Sequence, residues 1–531
     1  MKKIFIAIFA LSSLMAQAQK NTLLDQSFWQ NSPDVNAVKA EIEKGNSPSQ
    51  QNAMSMDAVT LAINAGAPTA SIEYLLSQPG NDIEKLTHDG RTYLHWAANR
   101  GNAEVVEYLL NKGAKYNVED SHGTTPLLFA ASSGQQNTKI YDLFLAHGAD
   151  LKKELSPEGA NVLLLALAND KDFTLTNYFI SKGLDLNSTD AAGNNAFCYA
   201  AKAGNIDVLK ALLQKGVKPN ANAMLMAAQG GGRRGGGSGA TLALYQYLES
   251  LNIKPTTLAK NGENVLHSIV RKQRQNEIIE YFLSKGVDVN QADEDGNTVL
   301  MNAALANRDT AVLAMLIPHV KNINQANQNG LTALTLAVRS NSPEVVSYLI
   351  NKGADVNVVD KKGNNLAYYV VESYRSQAGG FGGQGFGGPN GPGAGRPNGQ
   401  TPNGQGEQRA FNGPKPEDFD AKIKILQSKG LKVTAPQKDG NTLYHLAVAK
   451  NDLTLLKRLE PLQIDANAKN KEGLTALHKA ALIAKDDALL KYLLSIGAKK
   501  DVVTSFKETA FDLASENESL SKNNISVNFL K

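Results

Sequence analysis

A glycine set in a short polar cluster recurs down the chain, at Gly90, Gly123, Gly159, Gly193, Gly262, Gly296, Gly330, Gly363, Gly440 and Gly473. Most successive gaps are 33 to 36 residues; Gly193 to Gly262 and Gly363 to Gly440 are about two periods long. Self-similarity at such a period means one small supersecondary unit stacked many times. It replaces the three or four separate domains that 531 residues would otherwise suggest.

The stretch from Asp89 to Ala114 shows what is repeated. Asp89-Gly90 favours a tight turn, because glycine accepts a positive φ without steric cost. Thr92 stands where a side chain can cap a first helix. Leu94, Ala97 and Ala98 give that helix a narrow apolar face, and the alanines allow close approach of its neighbours. Val105, Val106, Leu109 and Leu110 follow at helical spacing, and Gly113 ends the second helix. A unit of this size cannot enclose its own core, so stacking on its neighbours must bury it.

Thr125-Pro126-Leu127, Leu94-His95, Leu477-His478-Lys479-Ala480-Ala481 and Lys352-Gly353-Ala354-Asp355-Val356-Asn357 resemble the ankyrin-repeat signature. The resemblance covers nearly all of the chain beyond its first residues. It implies an all-α ankyrin-repeat solenoid of about 12 to 14 units counting both ends, helix-turn-helix units joined by short β-hairpin loops, in a curved right-handed stack. The clearest units are 89–120, 121–155, 191–220, 260–293, 294–327, 328–360, 438–470 and 471–504; weaker ones fill 52–88, 156–190, 221–259 and 361–437. The array thus spans 52–504. Residues 19–51, with a helix pair from Asp25 to Gly45, and 505–531 form the ends, the last of these fraying from Ser519. Pro318-His319 replaces the glycine stop of the 294–327 unit and predicts a local irregularity.

Two segments interrupt the pattern between the first and second helix of their units. One is 229–239, QGGGRRGGGSG; the other, 377–416, is rich in Gly, Pro, Asn and Gln and carries Phe381, Phe386 and Phe411. Both lack the apolar content to fold and are expected to be disordered. Solenoid edges tolerate such insertions because loop closure costs little. A working role is the other reading: Arg233-Arg234 clamping an anionic group, and the phenylalanines acting as contact points.

Lys2 and Lys3, the apolar run Ile4–Met15 and Ala16-Gln17-Ala18 form a secretory signal peptide pattern (residues 1–18) with cleavage after Ala18. That run is too short for a permanent span, which needs about 20 residues. Export into a bacterial periplasm is the expectation, with secretion as the alternative. Cys198 is the one cysteine, so no internal disulfide exists, and it reads as a small buried apolar side chain. The formal net charge is +4. Near balance argues against nucleic acid as a partner.

Of the eight histidines, His95, His267, His445 and His478 occupy the Leu-His position of the repeat. The resemblance gives them a structural role, bonding backbone near the turn and linking adjacent units. His88 and His122 lie at or beside hairpin tips and His147 precedes a glycine stop, none with the close partners zinc would want. Nothing matches a phosphate loop, a nucleophile elbow or a catalytic triad. The chain reads as a non-enzyme without catalytic residues, metal or cofactor.

Ankyrin proteins bind partners with their hairpin tips and the exposed part of the first helix. Carried over by position, that face includes His88, Asp89, Arg91, Asn99 and Arg100. Lys260, Asn261, Glu263, Arg271 and Lys272 follow, then Glu294, Asp295 and Asn297. Lys361, Lys362, Asn364, Lys438, Asp439 and Asn441 complete it. Tyr93 and Trp96 read as packing residues. The expectation is a monomeric, non-catalytic scaffold for a protein partner, in the manner of exported bacterial ankyrin proteins thought to support periplasmic enzymes such as catalase. Two alternatives are an envelope element that engages cell-wall or surface polymer through the Gly-rich loops, and a secreted effector.

Overall fold

The computed structural model describes residues 21–230, 240–375 and 416–531. The signal-peptide pattern at 1–18, Arg233-Arg234 and Phe381, Phe386 and Phe411 lie outside these residues, as does nearly all of both inserts.

The described residues form two compact units, divided between Thr257 and Leu258. Each contains seven antiparallel helix pairs, from Gln26–Gln30 and Val35–Glu43 to Ala223–Gln229 and Leu242–Ser250 in the first, and from Val265–Ile269 and Asn276–Ser284 to Ala510–Glu516 and Glu518–Lys522 in the second. Within a unit, first helices pack on first helices and second on second: Tyr93–Arg100 lies on Pro126–Ser132, and Ala103–Asn111 on Thr138–Ala146. The β-character of the hairpins is confined to isolated antiparallel bridges such as Thr189 with Asn195 and Ala292 with Thr298. This is the all-α ankyrin solenoid the repeat implies.

The core lies between the stacked pairs. Leu94, Ala97, Ala98, Val105, Val106 and Leu109 are all 0 % exposed; burial of each larger aliphatic contributes about 1.5–3 kcal/mol. Gly113, at φ +88°, stops the second helix with its amide bonded to the Leu110 carbonyl. Where Pro318 replaces that glycine, a 3-10 turn (Ile317–His319) ends the helix, and Glu460–Leu462 repeats the solution around Pro461. The C-terminal end is tied down: Leu520 and Leu530 are buried, so the fraying expected from Ser519 is not seen.

Position 221–259 departs further. It has its helix pair but no glycine hairpin at its start. Instead Asn220 Nδ2 donates to the Gly193 carbonyl at 2.9 Å, and Asn222 Nδ2 to Asn194 Oδ1 at 2.9 Å. Side-chain amides there replace a main-chain turn.

The hairpin tips as a candidate interaction surface

Each hairpin is a loop whose first residue donates its amide to the carbonyl of the fifth, as Asp293 does to Asn297 (3.0 Å) and Asn327 to Leu331 (2.9 Å). Where the first residue is Asp or Asn, its side chain turns inward and accepts from the same loop: Asp293 Oδ1 receives the amides of Asp295 and Asn297. The second and third residues are left pointing outward.

Many successive tips are joined through main chain. The amide of the second residue donates to the carbonyl of the third residue on the preceding tip: Ser121 to Asp89 (2.8 Å), Glu294 to Asn261 (2.7 Å), Gln328 to Asp295 (2.9 Å), Lys361 to Asn329 (3.0 Å) and Lys471 to Asp439 (2.9 Å). This explains the periodic glycines better than turn chemistry alone. Gly330 has φ +79°, and a Cβ there would lie 2.7 Å from the Lys361 nitrogen. Pro157 has no amide to donate, and the rung expected between its tip and the one at His122 does not form.

Most of the residues carried over by position stand on this surface. Arg100, Lys260, Arg271, Glu294, Asp295, Lys361, Lys362, Lys438 and Asp439 are exposed. His88, Asp89, Asn99, Asn261, Glu263, Lys272, Asn297, Asn364 and Asn441 are partly exposed. Three of the amides are engaged within the chain. Asn297 accepts from Asn327 Nδ2 at 2.8 Å, Asn441 accepts from Asn470 Nδ2 at 3.0 Å, and Asn364 donates to Asp360 at 2.9 Å. His88 Nδ1 lies 3.0 Å from the Met54 carbonyl.

Arg91 is a correction. It is 2 % exposed and unable to reach a partner. Its Nε and Nη2 each lie 2.8 Å from Asp120 Oδ2, and its guanidinium sits 4.2 Å from the centre of the Phe129 ring. An arginine at the fifth position faces the next unit's buried aspartate, and reading one repeat at a time conceals that.

The Leu-His imidazoles share one geometry. His95 Nδ1 accepts the Thr92 amide at 3.1 Å, so Nε2 carries the proton and donates to the Thr124 carbonyl of the next unit at 3.0 Å. His267, His445 and His478 make the same pair of bonds, to Asn297, Leu474 and Val502 on the far side. Burial lowers the pKa of all four, that of His95 to about 4. Inside the tips, Trp96, Tyr199 and Tyr369 each reach back to the first residue of their own hairpin: Trp96 Nε1 to Thr87 at 2.8 Å, Tyr199 to Asp190 at 2.9 Å and Tyr369 to Asp360 at 2.6 Å.

Burial pushes the Cys198 thiol up to about 12, far from thiolate chemistry. Among the described residues no cluster of three or more His, Cys, Asp or Glu could hold a metal ion, and no helix is long and apolar enough to cross a membrane. The arrangement offers a row of exposed side chains on a rigid support, suited to holding a macromolecule.

The chain matches the family model for ankyrin repeats, three copies at a time, at residues 30–120, 56–154, 136–223, 239–327, 266–360 and 422–527. These matches cover well over half of it, and the chain belongs to the ankyrin-repeat family. It is 33% identical to a putative ankyrin repeat protein of Rickettsia bellii over 104 residues, 20% of this chain and 58% of that one. It is 29% identical to the transient receptor potential cation channel subfamily A member 1 homolog of Caenorhabditis elegans over 149 residues, 28% of this chain and 12% of the channel. A third match, 29% identical over 155 residues, is to an L-asparaginase of Dirofilaria immitis and takes in 26% of that protein. The chain spans less than two thirds of each relative, and what is shared is the repeat. Repeats of this family are in general non-catalytic modules that bind proteins.

Proposed function

We propose that the protein is a non-catalytic scaffold of the bacterial periplasm that holds a protein partner along its hairpin tips and the exposed ends of its first helices. The observation that carries the reading is the main-chain ladder. It fixes the spacing of exposed side chains from tip to tip. A stable protein contact needs roughly 800 Å² per partner, and a row of several tips with the adjoining helix ends supplies area of that kind. Export is supported by the dilysine start, the short apolar run and the Ala-Gln-Ala site. Support of a periplasmic enzyme is the physiological role we favour.

Affinity purification of the tagged protein from its own periplasm tests this, beside a variant carrying Arg100→Glu, Arg271→Glu and Lys438→Glu. One protein recovered in stoichiometric amount with the parent and lost with the variant is the expected result. Equal recovery by both, or recovery of envelope polymer that disappears when 377–416 are deleted, refutes it.

A further inference from the structure

Three consecutive tips of the second unit differ in charge in an ordered way. The tip with Glu294 and Asp295 presents two outward carboxylates, that with Gln328 and Asn329 two amides, and that with Lys361 and Lys362 two ammonium groups; all six are exposed. On the far side of the basic tip Lys438 is balanced by Asp439, and on the far side of the acidic tip stand Lys260 and Asn261. Read outward, the charges of these three tips run minus two, zero, plus two. Asp293 and Asp360, first residues of the two charged hairpins, spend their charge inward: Asp293 on its own loop's amides, Asp360 on Asn364 and the Tyr369 hydroxyl. Among the described residues, Glu294, Asp295, Lys361 and Lys362 take part in no ion pair within the chain.

A pattern that changes sign on reversal about its middle is what a two-fold contact between identical surfaces requires. We propose that this row of tips pairs antiparallel with the same row of a second copy, with the axis passing by Gln328 and Asn329. Glu294 and Asp295 of each copy then face Lys361 and Lys362 of the other, and the central amides, each donor and acceptor, face their own kind. The register needs no tuning, because the spacing between the charged tips is identical in both copies. The rungs Gln328 to Asp295 and Lys361 to Asn329 hold that spacing through main chain. Val359, 56 % exposed beside the basic tip, adds apolar surface. Exposed ion pairs are individually weak, so the dimer is weak and salt-sensitive. This inference goes beyond the scaffold reading and does not depend on the identity of any partner.

Sedimentation velocity of the full chain is the test, at about 100 µM and an ionic strength of about 0.01 M, where screening extends to about 30 Å. The parent should be largely dimeric there and monomeric near 1 M salt. Glu294→Lys with Asp295→Lys, and separately Lys361→Glu with Lys362→Glu, should each weaken self-association at least tenfold. An equimolar mixture of the two variants should form a heterodimer, and all four changes in one chain should restore the homodimer. A parent that stays monomeric at low salt overturns the proposal, as do variants that dimerise like the parent or a mixture that stays monomeric. Self-association is read with no partner present, whereas the scaffold reading is decided by the affinity purification, so the two fail separately.

Discussion

The guanidinium of Arg91 lies 2.8 Å from the carboxylate of Asp120 on the next hairpin, and the pair is all but sealed from water, with side-chain exposures of 2 % and 0 %. Removing one partner from such a pair leaves a buried charge without its counter-ion, which typically costs about 3–5 kcal/mol. Arg91→Met should therefore destabilise the protein by about that amount, read from chemical denaturation, and Asp120→Asn in the same chain should recover a good part of it. Purely additive losses would contradict the pairing.

Acid should loosen the stack through the Leu-His imidazoles. Burial lowers the pKa of His95 to about 4, whereas the unfolded value is near 6.5. Between these limits the unfolded chain binds more protons, so stability present above pH 6.5 is lost as the pH falls towards 4. For His95 this is roughly 3 kcal/mol, and His267, His445 and His478 act in the same direction. Denaturation midpoints measured from pH 7 to pH 4 should fall, and His95→Gln should flatten part of that slope.

Lys422 should act in the same direction in a higher pH range. It is 1 % exposed, with Nζ 2.9 Å from the Val338 carbonyl, and burial lowers its pKa to about 8. Its folded pKa lies below the ordinary value of about 10.4, so stability rises with pH between the two. Lys422→Met, which keeps the volume and drops the charge, should be more stable at pH 7 by about 1–3 kcal/mol. The advantage should shrink as the pH passes from 8 to 10.5, and an advantage independent of pH would show that burial of the charge is not its source.

The last hairpin carries a lysine where most other tips carry glycine. Lys507 has φ +65°, a conformation that costs a side-chain-bearing residue roughly 1 kcal/mol. Lys507→Gly should raise the thermal midpoint; an unchanged or lower one would mean that relief of strain is outweighed by the greater freedom of glycine when unfolded.

The repeat and its helices were legible in the sequence because turn glycines and apolar stripes report on the unit in which they stand. Trp96 and Tyr93 read as packing residues for the same reason. What could not be read is set by the next unit along. Arg91 looks like an exposed tip residue until Asp120 and Phe129 close over it, and Lys422 lies on a polar-looking helix until the Val338 carbonyl of the preceding unit receives it. Asn220 and Asn222, which lack the glycine signal, show that a unit can be held in place by side-chain amides that no turn pattern announces.

Because the tips are tied to one another by peptide groups, which every residue but proline possesses, the identity of an outward side chain is irrelevant to the pitch of the row. The tips are teeth on a comb whose back is main chain. Changes at Glu294, Lys361 or Lys438 alter what is grasped without altering where the neighbouring teeth stand, so recognition can drift in evolution while the frame stays still. Pro157 marks the place where a tooth was set without its fastening.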